Sequence, residues 1–74
     1  MARNLLSRYV WLIDTIKRYG NITREELNRL WMLSPLGEGE PLPRRTFYNY
    51  RNAIEELFGI TIQCNPATYE YFIA

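Results

Sequence analysis

Gly59 separates two kinds of hydrophobic pattern in this chain of 74 residues. Before it, apolar residues recur at the spacing of an α-helix. After it, apolar and polar residues alternate in two short runs that are rich in β-branched and aromatic side chains, which is typical of strands. The chain is therefore expected to be mostly helical and to end in one small β-hairpin.

Two helices are predicted before a long loop. The first, at about residues 5–19, has one apolar face and is followed by Gly20, a residue suited to a left-handed C-cap. The second, at about residues 24–33, begins at a capping box in which Thr23 and Glu26 would satisfy each other's backbone donors. The face of the first helix that we expect to be buried comprises Leu5, Leu6, Tyr9, Val10, Leu12, Ile13 and Ile16.

A third helix is predicted at about residues 43–58, with Pro43 at its first helical position. Strands follow at about residues 60–64 and 69–73, joined by a type I turn at residues 65–68. In the third helix we expect burial of Phe47, Tyr50, Ala53, Ile54, Leu57 and Phe58. In the hairpin we expect burial of Ile60, Ile62, Tyr69, Tyr71 and Ile73.

The order helix, helix, helix, hairpin is that of a three-helix winged helix-turn-helix domain. We therefore expect residues 1–74 to form one such domain, mostly α with a small hairpin and of the α+β class. Trp11 departs from this scheme because it projects from the polar face of the first helix. Either another part of the chain covers Trp11, or it marks a contact with a partner.

Composition excludes several classes of function. The chain has one cysteine and no histidine, which rules out an internal disulfide, a Cys-based zinc cluster and histidine catalysis. No nucleophile has a base at a plausible spacing, so we expect no enzyme, no metal site and no cofactor. No apolar run is long enough to cross a membrane and no signal peptide follows Met1, so we expect a cytoplasmic protein without a membrane partner.

The polar face of the third helix is the most informative surface. From residue 41 to residue 54 there are three arginines and no acidic residue. Arginine can bond guanine, and asparagine can bond adenine, through paired hydrogen bonds in the major groove. These groups lie in the first half of the helix, which a recognition helix presents to base edges. The candidate DNA-binding residues are Arg44, Arg45, Thr46, Tyr48, Asn49, Arg51 and Asn52.

One alternative applies to these residues. The polar groups can simply solvate an exposed helix face, with Arg51 paired to Glu55 one turn later. Arg24, at the start of the second helix, is a weaker candidate that could bind a phosphate, although Glu25 and Glu26 share its turn.

Two stretches resemble a known family. They are Arg44-Arg45-Thr46-Phe47-Tyr48-Asn49-Tyr50-Arg51 and Ile54-Glu55-Glu56-Leu57-Phe58-Gly59-Ile60-Thr61-Ile62. Together they resemble the recognition helix and first wing strand of DeoR-like helix-turn-helix domains, which commonly head bacterial regulators with a WYL sensor domain. The likeness covers almost the whole chain. It departs at Pro43, where a serine cap is usual, and at the connection from Leu33 to Pro43, which is longer than a tight turn.

The resemblance implies sequence-specific binding of double-stranded DNA, with the third helix in the major groove. It assigns the DNA contacts to Arg44, Arg45, Thr46, Tyr48 and Asn49. It also implies a C-terminal sensor or assembly domain that is missing here, in a bacterial transcription regulator. A homodimer is one expected assembly, because modules of this size often bind in pairs. The alternative is a winged-helix module that binds another protein and not DNA, through exposed aromatic residues.

Overall fold

The computed structural model describes residues 5–73, which contain three helices and three strands. The predicted domain of residues 1–74 also includes residues 1–4 and 74, which lie outside the described part. The mostly helical α+β class is confirmed. The elements in chain order are α1 (Leu5–Tyr19), β1 (Ile22–Thr23), α2 (Arg24–Leu33), α3 (Arg44–Phe58), β2 (Ile62–Cys64) and β3 (Glu70–Ile73).

The helix ends agree closely with the sequence. Gly20 and Gly59 have φ angles of 80° and 68°, the left-handed conformation that glycine adopts without a steric penalty. Pro43 is the residue before α3 and not its first helical residue, because its ψ of 149° is extended. It provides no side-chain cap, so α3 begins one residue later than predicted.

The start of α2 forms half of the predicted capping box. The backbone N–H of Glu26 donates to Thr23 Oγ1 at 3.1 Å. The Glu26 carboxylate accepts a hydrogen bond from Arg29 at 2.5 Å, and this bond lowers the pKa of Glu26. Ile22 and Leu27, which flank the cap, are both buried, as expected of a hydrophobic staple.

The sheet contains a strand that the sequence pattern did not predict. The strand order is β1-β3-β2, with both pairs antiparallel, so β3 lies in the centre. Ile22 pairs with Tyr71, and Ile62 pairs with Ile73. With two residues, β1 is too short for an alternating pattern and exists as a strand because it pairs with β3.

The hairpin turn closes one residue later than predicted. The N–H of Tyr69 donates to the carbonyl of Asn65 at 2.7 Å, and Asn65 Oδ1 accepts from the N–H of Ala67 at 2.9 Å. Tyr69 has a φ of 61° and therefore leaves the alternation that would have buried it with Tyr71. The prediction that Tyr69 is buried is wrong, because 73% of this residue is exposed.

One core joins the three helices and the sheet. On α1, the buried stripe is rotated toward Thr15, so the predicted burial of Leu5, Leu6 and Val10 is wrong. On α3, the last turn leaves Leu57 65% and Phe58 41% exposed, so their predicted burial is also wrong. The buried apolar residues are Tyr9, Leu12, Ile16, Ile22, Leu27, Trp31, Leu42, Phe47, Tyr50, Ile54, Ile62 and Tyr71.

The long connection between α2 and α3 is held against α2. Ser34 Oγ donates to the carbonyl of Trp31 at 2.7 Å, and the N–H of Leu42 donates to Asn28 Oδ1 at 2.7 Å. Leu42 is buried beside the core. These contacts fix the position at which α3 starts relative to α2.

Trp11 packs edge-on against the indole of Trp31, with 5.3 Å between ring centroids. It is partly buried against the core, so another part of the chain covers it, as the first alternative predicts. Between residues 5 and 73, no helix combines the length and apolar character needed to cross a bilayer.

Candidate nucleic-acid interface

The first half of α3 presents a polar face to solvent. Arg44, Arg45, Asn49 and Asn52 are all exposed, and Tyr48 is 38% exposed. Their spacing places them on the side of the helix opposite Phe47 and Ile54, which are buried in the core. The structure therefore brings most of the predicted DNA-binding residues together on one accessible surface.

The acidic residues of α3 lie at the other end of this surface. Glu55 and Glu56 are exposed in the second half of the helix, and the Glu55 carboxylate accepts a hydrogen bond from Thr61 Oγ1 at 3.3 Å. The first turn of α3 contains no acidic residue. The N-terminal half of the helix is therefore the half with positive side chains and with the positive end of the helix dipole.

Arg51 has a different position from the other candidates. Its Nε donates to the backbone carbonyl of Ile62 at 2.6 Å, and its guanidinium lies 5.5 Å from the ring centroid of Tyr71. The half-buried Arg51 thus joins α3 to β2 and β3. These contacts with the hairpin take the place of the pairing with Glu55 that the sequence suggested.

Tyr48 connects the exposed face to the same part of the sheet. Burial raises the pKa of Tyr71 to about 12, and a hydrogen bond with the Tyr48 side chain acts in the same direction. The Tyr48 ring is tilted against Phe47, with 5.9 Å between the ring centroids. Tyr48 is therefore held at the junction between the polar face of α3 and the hairpin.

A groove of about 740 Å³ lies between the start of α2, the start of α3 and the hairpin turn. It is the place where Arg24 and Arg44, which are distant in sequence, line one surface. Glu25 also lines it, so its charge is mixed. We call this the hairpin groove; it is lined by Thr23, Arg24, Glu25, Arg44, Tyr48, Cys64, Pro66, Thr68, Tyr69 and Tyr71.

Thr46 lies on the opposite flank of α3, where it lines a second cleft of about 630 Å³. In this cleft Arg8 Nη1 donates to the Tyr50 hydroxyl at 2.5 Å, and the guanidinium lies 5.8 Å from the Trp31 ring centroid. Arg8 therefore lies among aromatic side chains. Its contacts with Tyr50 and Trp31 attach α1 to α3 and α2. Thr46 lines this cleft and not the hairpin groove.

Tyr69 is the residue of this region that sequence reasoning missed. It continues the alternation of Tyr71 and Ile73, so its pattern predicts burial. Its exposure follows from the backbone bend at the turn, which the pattern does not encode.

Comparisons with protein-family models, with curated proteins and with solved structures find no match to this chain. Within residues 5–73, no three potential metal-binding side chains from His, Cys, Asp and Glu come together.

Proposed function

We propose that this chain is a winged-helix domain that binds double-stranded DNA, with the first half of α3 in the major groove. One observation carries the proposal: the exposed Arg45, Asn49 and Asn52 face lies beside a groove in which Arg24 and Arg44 meet the hairpin turn. A duplex presents base edges in its groove and phosphates along its rims. The arrangement of amide and guanidinium groups at the centre and cations at the side matches that pattern.

The residues then divide by role. Arg45, Asn49 and Asn52 contact base edges, because they lie along one exposed line of the helix. Arg44 and Arg24 bind phosphates at the edge of the groove. Tyr48 and Arg51 hold the hairpin in position beside them, and Thr46 lies on the opposite flank of α3.

The family resemblance supports a wider context for this activity. The domain would act in a bacterial transcription regulator, joined to a C-terminal sensor or assembly domain of the WYL kind. Two copies would bind half-sites about one helical turn apart, roughly 34–36 Å along the duplex.

The test is fluorescence anisotropy of a labelled mixed-sequence duplex at low and moderate salt. We expect a dissociation constant on the order of 10⁻⁴–10⁻⁶ M at physiological salt, with affinity falling steeply as salt rises. Arg45→Glu should abolish binding, since it removes a base contact and places a negative charge in the groove of a negatively charged duplex. Arg18→Glu is the matched control, because Arg18 is an exposed arginine of α1 that pairs with Asp14 at 2.6 Å.

The two variants have the same change in charge, and the exposed pair that Arg18→Glu removes contributes little stability, so position is the main difference between them. Equal loss of binding in both would mean that net charge, and not the α3 face, determines affinity. Absence of binding to the duplex even at low salt would contradict the proposal.

The alternative, a module that binds another protein, has its own supporting observation. Leu6 and Val10 are 54% and 52% exposed, and they line a mainly apolar groove with Trp11 and Leu36. An apolar groove of this kind is typical of protein contacts. Binding of the duplex that depends on Arg45 would favour DNA over this alternative.

A further inference from the structure

Tyr69 has a backbone conformation that its side chain disfavours. Its φ of 61° lies in the left-handed region, where a Cβ atom approaches the following carbonyl and where glycine or asparagine is usual. Tyr69 adopts this conformation between the two bonds that close the turn: its own N–H donates to the carbonyl of Asn65 at 2.7 Å, and the carbonyl of Glu70 accepts from the N–H of Asn65 at 2.8 Å. A large aromatic residue at such a position is unexplained by the turn itself.

Burial does not explain Tyr69 either. The residue is 73% exposed, whereas Tyr71, two positions later, is 5% exposed in the core. Non-glycine residues in unfavourable backbone conformations tend to occur at functional sites, where the rest of the fold holds them in place. A functional role for Tyr69 therefore depends on what its ring faces.

The ring lines the hairpin groove, on the same surface as Arg24 and Arg44. The rest of the turn, residues 65–68, has no lysine or arginine with which to bind a phosphate. An uncharged contact is therefore the one that this turn can supply.

We propose that Tyr69 is the DNA contact of the hairpin, and that its ring packs against a deoxyribose of the strand whose phosphates Arg24 and Arg44 bind. This inference rests on the proposed DNA-binding function. The ligand of the hairpin groove is the sugar–phosphate backbone of duplex DNA: guanidinium groups bind the phosphates and the tyrosine ring covers the apolar face of the sugar. This contact adds affinity without adding an ion pair.

Tyr69→Asn tests the inference, because asparagine tolerates a positive φ and lacks the ring. We expect its melting temperature to rise by roughly 4–8 °C as strain is relieved. We expect its affinity for the mixed-sequence duplex to fall about tenfold through loss of apolar contact. The slope of log affinity against log salt should not change, since no phosphate contact is lost.

Three variants serve as controls. Tyr69→Phe keeps the ring and should bind like the parent chain. Tyr19→Ala removes another exposed tyrosine, the last residue of α1, and should also bind like the parent. Arg44→Gln should reduce the salt slope by about 0.9, the value for one phosphate contact.

The outcomes separate this inference from the function on which it rests. Parent-like binding by Tyr69→Asn, with binding abolished in Arg45→Glu, overturns the role of Tyr69 and leaves DNA binding intact. A fall in both stability and affinity in Tyr69→Asn means that the ring is structural and also overturns it. Failure of the parent chain to bind the duplex removes the proposed function and this inference together.

Discussion

Gly37 occupies a position at which even a methyl group would collide with the backbone. A Cβ built there would lie 2.1 Å from the carbonyl oxygen of Trp31, far inside van der Waals contact. The close approach allows the N–H of Gly37 to bond to the carbonyl of Ser34 at 3.2 Å and the loop to fold back on α2. The requirement at this residue is for space and not for a positive φ.

Gly37→Ala should therefore lower the free energy of unfolding by about 3 kcal/mol, the cost of strong overpacking. Gly39→Ala is the matched control, since Gly39 has a φ of 80° and open space around the added atom. It should cost only the backbone strain, about 1 kcal/mol. Urea unfolding monitored by tryptophan fluorescence measures both. Equal destabilisation would show that the loop can move away from Trp31.

Tyr71 makes stability depend on pH in the alkaline range. Burial raises its pKa from 10.0 to about 12 in the folded chain, so between these values the unfolded chain loses the proton first. The contribution of this group is complete below pH 10 and is lost as pH rises toward 12. We therefore expect the free energy of unfolding to fall across that window.

Tyr71→Phe, which has no proton to lose, should show a smaller alkaline fall than the parent chain. Tyr69→Phe, which alters an exposed tyrosine, should keep the full fall. Thermal unfolding followed by circular dichroism at about pH 9 and about pH 11.5 gives the comparison. Parallel falls in the parent and in Tyr71→Phe would assign the effect to other groups.

Among the elements, α3 and the hairpin are joined by a side chain and not only by the core. The bond from Arg51 Nε to the carbonyl of Ile62 connects the middle of the helix to the first residue of β2. A hydrogen bond from a charged donor contributes more than a neutral one. This contact holds the start of β2 against α3.

Arg51→Met retains the aliphatic stem and removes the donor, so it should cost about 1.5–3 kcal/mol of unfolding free energy. Arg45→Met changes an exposed arginine of the same helix and should stay within about 0.5 kcal/mol of the parent chain. Chemical denaturation midpoints measure the difference. Equal midpoints for the two variants would mean that the Arg51 contact contributes no stability.

Elements with local causes could be predicted, and elements that depend on distant partners could not. Helix α2 follows from its Thr23 cap, and the end of α3 from Gly59, since both signals act within a few residues. Strand β1 exists only through β3, which lies far along the chain. The polar face of α3 was readable from helical spacing. The exposure of Tyr69 was not, because a bend at the turn removes it from the alternation.

In the whole molecule, β3 holds the sheet together. It is the central strand, paired with β1 on one side and β2 on the other, and it places Tyr71 in the core. Neither outer strand has another partner within the described sheet. Loss of β3 would leave β1 and β2 unpaired and open the core beside Phe47, whose ring lies 4.9 Å from that of Tyr71.

A chain that ends at residue 69 should therefore have no cooperative thermal transition and should lose most of its near-ultraviolet circular dichroism. A chain that ends at Ile73 keeps the whole of β3 and is the control. We expect it to unfold in a single transition, as small domains usually do. A cooperative transition in the shorter chain would show that the three helices pack stably without the sheet.

The pairing of Ile22 with Tyr71 also has a consequence for synthesis of the protein. The three helices can form from local contacts as they leave the ribosome, on a timescale far shorter than translation. The sheet cannot, because its central strand is translated last and must close a loop that spans most of the chain. Ile22 and its neighbours in the nascent domain therefore stay unpaired until β3 has been translated and has left the ribosome.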